Sequence, residues 1–132
     1  MESVTPPPSG SDLLLDTNIL IDVLRGEQTS LDWLQLHGGG ASISVITWIE
    51  ILVGCRESET TAVRSWLEGF RRLELNQAVA GDAVICRRER GLKVPDAIIL
   101  ATARCHGLLL ATRNWRDFPA ESGRVICPYR LD

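Results

Sequence analysis

The sequence predicts an α/β protein, a three-layer α/β/α sandwich with a mainly parallel central sheet. Short apolar segments with strand character alternate with longer helical segments, an order typical of parallel strands joined by helical crossovers. The 132 residues, 45% of them hydrophobic, can bury one core, whereas two separate domains would each be marginal. The first apolar segment stops on an acidic residue, as expected at the carboxyl edge of a strand in such a sheet.

The first strand is predicted over residues 13–16, which read Leu-Leu-Leu-Asp. Residues 18–25 then predict a helix that ends at Gly26. Residues 31–37 predict a second helix, which the glycine run 38–40 ends because glycine disfavours further helical turns. Two helices therefore precede the second strand.

The second strand is predicted over residues 41–44, where Ser44 is suited to cap a helix over residues 45–53. Residues 60–70 predict an amphipathic helix, because apolar residues recur there at three- and four-residue spacing. These apolar residues are Val63, Trp66, Leu67 and Phe70. We expect the two helices to pair antiparallel.

Residues 73–75 predict a brief third strand. Residues 77–90 predict a helix whose last turn is rich in arginine, and cations there interact favourably with the helix dipole. Pro95 predicts the start of a helix over residues 96–106, which ends at Gly107.

Residues 108–112, Leu-Leu-Leu-Ala-Thr, predict the fourth strand. Residues 125–127 predict a last strand at a sheet edge, because Pro128 directly after it cannot donate a ladder hydrogen bond. The predicted domain spans residues 12–132.

The amino-terminal residues 1–11 contain a Pro-Pro-Pro-Ser-Gly run and predict a disordered lead. No segment approaches the ~20 apolar residues of a membrane span. The amino terminus also lacks a basic region followed by an apolar one, so we expect no secretion signal. We therefore expect no membrane association.

The four cysteines, Cys55, Cys86, Cys105 and Cys127, form no C-x-x-C pair and lie in apolar or helical stretches. Disulfides are possible on count alone, but this placement favours reduced thiols in the core. Reduced thiols indicate a cytoplasmic protein.

Four acidic residues stand at the ends of apolar segments that would otherwise enter the core: Asp16, Glu50, Asp96 and Asp117. Carboxylates at the rim of a core are costly unless they bind something. Structural roles are open to them as well, because Asp16 and Asp96 stand at helix starts and a helical Glu50 can face solvent. Oxygen-only ligands suit Mg²⁺, with Mn²⁺ as a possible substitute. We interpret the set as catalytic metal ligands of a phosphodiester hydrolase.

Several polar residues beside these acids are candidates for orienting a ligand or contacting the substrate. The hydroxyls of Thr17 and Thr112 stand just past two strand ends, where a satisfied turn hydroxyl is an equally good interpretation. Arg113 or Arg116 is a candidate phosphate contact. The remaining two are Asn18 and Asn114, and Asn114 is also the alternative to Asp117 as the fourth site residue.

The formal net charge of −3 at pH 7 fits poorly with a large basic surface for nucleic acid. Without the four site carboxylates, however, the rest of the chain carries +1. Bound divalent cations would cancel the charge of those carboxylates. The acidic balance therefore does not exclude a nucleic-acid substrate.

Four ordered motifs carry a family resemblance: LLLDTNILIDVL, SVITWIEILVG, VPDAIILATA and LLLATRNWRDF. In this order and separation they resemble the PIN-domain ribonucleases, and most closely the VapC-type toxins of bacterial toxin–antitoxin pairs. The similarity covers residues 13–125.

The resemblance implies a flavodoxin-like sandwich and a Mg²⁺-dependent endoribonuclease that cleaves RNA. It also implies a homodimer and a small antitoxin that covers the acidic groove. The family's acidic tetrad falls on Asp16, Glu50, Asp96 and, in the last motif, Asn114 or Asp117. Many family members carry an acid where Asn114 stands.

Three other classes of protein fit the motifs less well. A haloacid-dehalogenase-like phosphatase needs a second aspartate two residues after the first, where this chain has Asn18. A catalytically silent PIN domain that only binds a partner would lose acids, and three positions are intact. A structure-specific DNA nuclease uses similar chemistry but usually needs more chain for duplex recognition.

Overall fold

The sheet of this computed structural model contains five strands in the order β3-β2-β1-β4-β5, and all four pairings are parallel. The structure describes residues 8–118 and 123–131. The strands are β1 Leu13–Leu15, β2 Ser42–Ser44, β3 Arg71–Leu73, β4 Leu109–Ala111 and β5 Val125–Ile126. The prediction of a mainly parallel sheet is confirmed.

Six α-helices in the described residues connect these strands. They are α1 Thr17–Leu24, α2 Gln28–His37, α3 Val45–Gly54, α4 Thr60–Leu67, α5 Gln77–Arg90 and α6 Val94–His106. Helices α5 and α6 end at Gly91 and Gly107, both in the left-handed conformation that glycine adopts without strain.

Two apolar clusters lie on the two faces of the sheet. Leu14 and Leu110 pack with α5 and α6 on one face. Leu13 and Leu15 point the other way and pack with α1, α3 and α4. Successive residues of a strand alternate between faces, so β1 serves both clusters. The three-layer α/β/α architecture is confirmed.

The third strand lies two residues earlier than predicted. Residues 73–75 were expected, but β3 is Arg71–Leu73 and pairs with β2 in the register Leu73 opposite Ser44. Arg71 and Arg72 are exposed and only Leu73 is buried. Apolar patterning misses such a strand, because charged residues are common at a sheet edge. The prediction of an edge strand at residues 125–127 is confirmed by β5.

The prediction of a disordered lead over residues 1–11 is wrong at its end, and residues 1–7 lie outside the described residues. Gly10 begins a 3-10 turn, Gly10–Asp12, and is buried. A Cβ atom on Gly10 would lie 1.9 Å from the carbonyl oxygen of Gly39, so only glycine allows this approach. The segment just before β1 is thus packed on the glycine run after α2.

All four cysteines are free thiols, as predicted. Only Cys86 is buried, however, whereas Cys105 is exposed and the other two are half-buried. The placement of all four in the core was therefore wrong. None of the helices in the described part of the chain is long and apolar enough to cross a membrane.

The carboxyl ends of β1, β2 and β4 lie side by side and position the candidate site. Because these strands are parallel, the residues that follow them emerge at one edge. The Asp16 backbone N–H extends the β1–β4 ladder by donating to the carbonyl of Ala111, at 2.9 Å. Helices α1 and α3 begin at this edge.

Candidate active site

Asp16 follows β1 and serves as the N-cap of α1. Its Oδ1 accepts a hydrogen bond from the Thr17 backbone N–H at 2.8 Å, and the residue is only 5% exposed. The structural role considered for this aspartate, as a helix N-cap, is therefore present, and it uses only Oδ1.

Thr112, just past β4, fixes the second oxygen of Asp16. Its hydroxyl oxygen accepts from the side-chain amide of Asn18 and from the backbone N–H of Asn114, each at 3.0 Å. A hydroxyl oxygen has two lone pairs, so both are used. The hydroxyl proton is therefore left to donate to Asp16 Oδ2, at 2.7 Å.

Asn18 ties the ends of β1 and β4 together. Its amide nitrogen also lies 3.4 Å from Asp16 Oδ2, and its carbonyl oxygen accepts from the Arg113 backbone N–H at 3.2 Å. The residue predicted to contact ligand or substrate thus orients the first acid and the loop after β4.

Burial raises the pKa of Asp16 to about 6. The hydrogen bonds from Thr112 and Thr17 lower it, and the charges of Asp96 and Glu50 raise it further. Relative to an ordinary aspartate near pKa 4, the ionised form costs about 3 kcal/mol at neutral pH. A nearby positive charge would therefore stabilise the ionised form of Asp16.

Glu50, on α3, is exposed and is held by a hydroxyl pair. Thr17 Oγ1 donates to Glu50 Oε1 at 2.8 Å and lies 2.9 Å from Thr47 Oγ1. Because the Thr17 proton goes to Glu50, Thr47 must donate to Thr17. Sequence analysis missed Thr47, whose only signal was its position one helical turn before Glu50.

Asp96 lies half-buried in the first turn of α6. Burial raises its pKa, the charges of Asp117 and Glu50 raise it further, and Lys93 lowers it. These mutual effects indicate that the four predicted acids lie at one edge of the sheet.

Asp117 and Asn114 were the two candidates for the fourth position, and both are exposed. Asp117 lies in the 3-10 turn Trp115–Asp117, and its charge acts on Asp96. Asn114 precedes that turn, and its side chain makes no cap hydrogen bond. Because the charge of Asp117 raises the pKa of Asp96, we favour Asp117 over Asn114 as the fourth site residue.

The donor set fits a hard divalent cation by its chemistry and charge. It offers carboxylate oxygens, and two of the acids have raised pKa values that a cation would lower. Within residues 8–118 and 123–131, no three His, Cys, Asp or Glu side chains are close enough to enclose a metal ion. The two exposed acids, Glu50 and Asp117, would have to move inward.

Arg113, a predicted phosphate contact, forms an ion pair with a buried aspartate. Its guanidinium pairs with Asp22 through Nε on Oδ2 and through Nη2 on Oδ1, the latter at 2.9 Å. Asp22 is 1% exposed and also accepts from the Tyr129 hydroxyl at 2.7 Å. The hydrogen bond to Asp22 is the main reason that the Arg113 pKa is raised.

Asp22 and Tyr129 were missed by sequence analysis. Asp22 stands alone in an apolar stretch of α1, the same signal that drew attention to Glu50. The triad of Asp22, Arg113 and Tyr129 joins α1, the loop after β4 and the segment after β5. It thus anchors the loop that carries Asn114 and Asp117.

Comparison with known proteins gives consistent matches. The model of the PIN domain matches residues 13–120. Ribonuclease VapC10 of Mycobacterium tuberculosis is 33% identical over 114 residues, which cover 81% of this chain and 86% of that protein. The tRNA(fMet)-specific endonuclease VapC of Shigella flexneri is 26% identical over 83% of this chain and 92% of its own length.

Solved structures agree with these matches. A toxin–antitoxin complex from Klebsiella pneumoniae contains a chain 41% identical to this one, with a TM-score of 0.83 over 90% of this chain and 99% of that chain. FitAcB from Neisseria gonorrhoeae is 27% identical with a TM-score of 0.74, and covers 90% of this chain and 99% of that one.

The buried Asp22 triad leads to a stability prediction. Replacing Arg113 by Met should lower the free energy of unfolding by about 3–5 kcal/mol, because it leaves the buried Asp22 carboxylate without its cation. Arg116→Met, which removes an exposed guanidinium three residues away, should change it by less than about 0.5 kcal/mol. Urea denaturation at neutral pH measures both. Equal effects of the two substitutions would contradict an anchoring role for the triad.

Proposed function

The chain belongs to the PIN-domain family, and we propose that it is a metal-dependent endoribonuclease of the VapC type that acts in the cytoplasm as the toxin of a toxin–antitoxin pair. The observation that carries this proposal is the acidic edge, where Asp16 and Asp96 are raised in pKa by burial and by neighbouring carboxylates. The PIN-domain match and the VapC relatives support it.

In this proposal, Asp16, Glu50, Asp96 and Asp117 would hold Mg²⁺, or Mn²⁺ in its place. The bound cation would supply water activation for attack on phosphorus and stabilisation of negative charge on the phosphate. Hydrolysis breaks the bond from phosphorus to the leaving oxygen of the RNA strand.

The chain's own hydroxyl groups orient the carboxylates. Thr112 donates to Asp16 and Thr17 donates to Glu50, so one oxygen of each of these two acids accepts a short hydrogen bond from a hydroxyl group. Such support around metal ligands is typically worth 10–100-fold in metal affinity or activity. Asn18 keeps the two central strand ends at a constant separation.

RNA cleavage tests the proposal through the acids and their donors. Asp16→Asn and Asp96→Asn should abolish cleavage of total RNA, whereas Asp32→Asn, at an exposed carboxylate on α2, should leave it unchanged. EDTA should stop cleavage by the unaltered protein. Cleavage that survives EDTA or the Asp16 and Asp96 substitutions would contradict a metal-dependent mechanism at this edge.

Thr112 provides a finer test. Thr112→Val should reduce the cleavage rate by about 10–100-fold, because Asp16 Oδ2 loses its donor. Thr112→Ser keeps the hydroxyl and should retain most of the activity. Equal rates for the two variants would show that this hydroxyl does not orient Asp16.

We also propose a cognate antitoxin as partner. A cleft of about 320 Å³ has a mixed lining of charged side chains, among them Glu50, and apolar side chains of α1, α3 and α4, including Leu24, Ile51 and Val63. An antitoxin segment with apolar residues in this cleft would bring an arginine to the carboxylates, where its fork can pair with two oxygens. The solved neighbours that are toxin–antitoxin complexes support such a partner.

We also propose a homodimer, with an interface formed by α3 and α4. In the structure, the guanidinium groups of Arg64 and Arg72 lie over the Trp48 ring at 5.2 and 4.8 Å from its centroid. Trp66 packs edge-to-face on Phe70. These tryptophans are thus partly covered within one chain, while Ile49 and Val53 remain 44% and 80% exposed. The exposed α3 residues Ile49 and Val53 are therefore better interface candidates than the two tryptophans.

Light scattering tests the association. The chain should be a dimer at micromolar concentration, and Val53→Asp should shift it toward monomer by placing a charge on the exposed apolar surface of α3. The matched change Val84→Asp, on exposed α5, should leave the dimer intact. A monomeric unaltered chain would contradict this proposal.

A further inference from the structure

A pocket of about 390 Å³ opens between the 3-10 turn after β4 and the segment after β5. Its volume lies in the range of small-ligand sites. We name it the tail pocket, and its lining residues include Arg113, Trp115, Arg116, Asp117, Tyr129 and Arg130. The proposed catalytic steps use none of its aromatic or basic side chains.

The tail pocket presents an indole and two exposed guanidinium groups. Trp115 is 37% exposed, and the Arg116 guanidinium lies 5.1 Å from the centroid of its ring. Among the described residues, neither Arg116 nor Arg130 forms an ion pair with a carboxylate. Arg113, by contrast, is held by Asp22 and forms a fixed wall. An aromatic ring beside guanidinium groups that have no carboxylate partner among the described residues is a combination that binds single-stranded nucleic acid.

The tail pocket borders the acidic edge. Asp117, one of the four carboxylates of the proposed site, lines the pocket, and so does Asn114. The backbone of the intervening loop is fixed to the site, because Arg113 and Asn114 donate their N–H groups to Asn18 and Thr112. A ligand in the pocket would therefore lie next to the carboxylates.

We propose that the tail pocket binds a nucleotide of single-stranded RNA that flanks the scissile phosphate. Its base stacks on Trp115, and its phosphates contact Arg116 and Arg130. This assignment rests on the proposed ribonuclease function and adds to it the position of one substrate nucleotide. Four carboxylates repel an RNA backbone, so guanidinium groups at their border counteract that repulsion where the strand must pass.

An acidic protein segment could also pair with these arginines, but it would make no use of an exposed indole between them. Base stacking on aromatic side chains is tolerant of sequence, since every base has a π-face. The tail pocket therefore contributes affinity and position along the strand without selecting a particular base.

The test is binding of fluorescein-labelled oligouridine RNA, followed by anisotropy in Mg²⁺, with Asp16→Asn as the parent protein so that cleavage is suppressed. Adding Trp115→Ala should weaken binding about tenfold, whereas Trp115→Phe should stay close to the parent because phenylalanine also stacks. A ribose-phosphate oligomer that lacks bases should bind the parent and the Trp115→Ala protein equally.

Salt dependence tests the arginines. Arg130→Gln should reduce the slope of log affinity against log salt by about 0.7, the value for one phosphate contact on a single strand. Arg71→Gln, at the exposed first residue of β3 and hence at the amino end of the strands, opposite the acidic edge, should leave the slope unchanged.

Two outcomes would overturn the assignment. One is a Trp115→Ala protein that binds oligouridine as the parent does. The other is a loss of affinity that is the same with and without bases, or that appears only toward a co-purified protein partner, since then no base stacks on Trp115. A cleavage assay of the chain with Asp16 intact separates failure of the ribonuclease function from failure of the tail-pocket assignment. If this chain shows no metal-dependent cleavage, the proposed function is wrong. If it cleaves RNA but Trp115→Ala leaves binding unchanged, only the tail-pocket assignment is wrong.

Discussion

Burial of the Asp16 carboxylate at the end of the central strand is the constraint on which the site depends. The adjoining β1 is flanked by β2 and β4, so its carboxyl end is enclosed on both sides. Burial and the neighbouring carboxylates together raise the Asp16 pKa to about 6, a net cost to the ionised form of about 3 kcal/mol at neutral pH after its hydrogen bonds are included. A cation bound to the carboxylates would offset this cost.

The acidic edge has a rigid half and an adjustable half. Asp16, Thr112 and Asn18 are joined by hydrogen bonds across the two central strand ends. Glu50 and Asp117 are exposed, and Glu50 is held by one hydroxyl. A divalent cation at this edge would be held by the fixed Asp16 carboxylate together with exposed carboxylates that would have to move inward.

Sequence patterns predicted the alternation of strands and helices and identified the four acids as candidate site residues, because both signals are local in the sequence. The segment from Leu13 to Asp16 combines an apolar run with a terminal acid, and this predicts a strand edge without knowledge of the remainder. The residues that orient the site could not be predicted in this way. The bond from Tyr129 to Asp22 joins positions 107 residues apart, and that from Thr17 to Glu50 joins positions 33 apart. The ion pair of Arg113 could not be predicted for the same reason, since its partner Asp22 lies on α1.

The most direct test is the free energy of unfolding of the unaltered chain and Asp16→Asn between about pH 4 and pH 8, with EDTA and with Mg²⁺. The folded-state pKa of Asp16 is raised, so its contribution is full below about pH 4 and is lost as the pH rises through about 6. In EDTA the unaltered chain should therefore lose up to about 3 kcal/mol relative to Asp16→Asn across that window. Above pH 6, Mg²⁺ at about 100 times its Kd should restore roughly 2.7 kcal/mol to the unaltered chain and little to the variant. If the difference in free energy of unfolding between the two proteins does not change with pH or with Mg²⁺, a buried Asp16 that depends on a cation is contradicted.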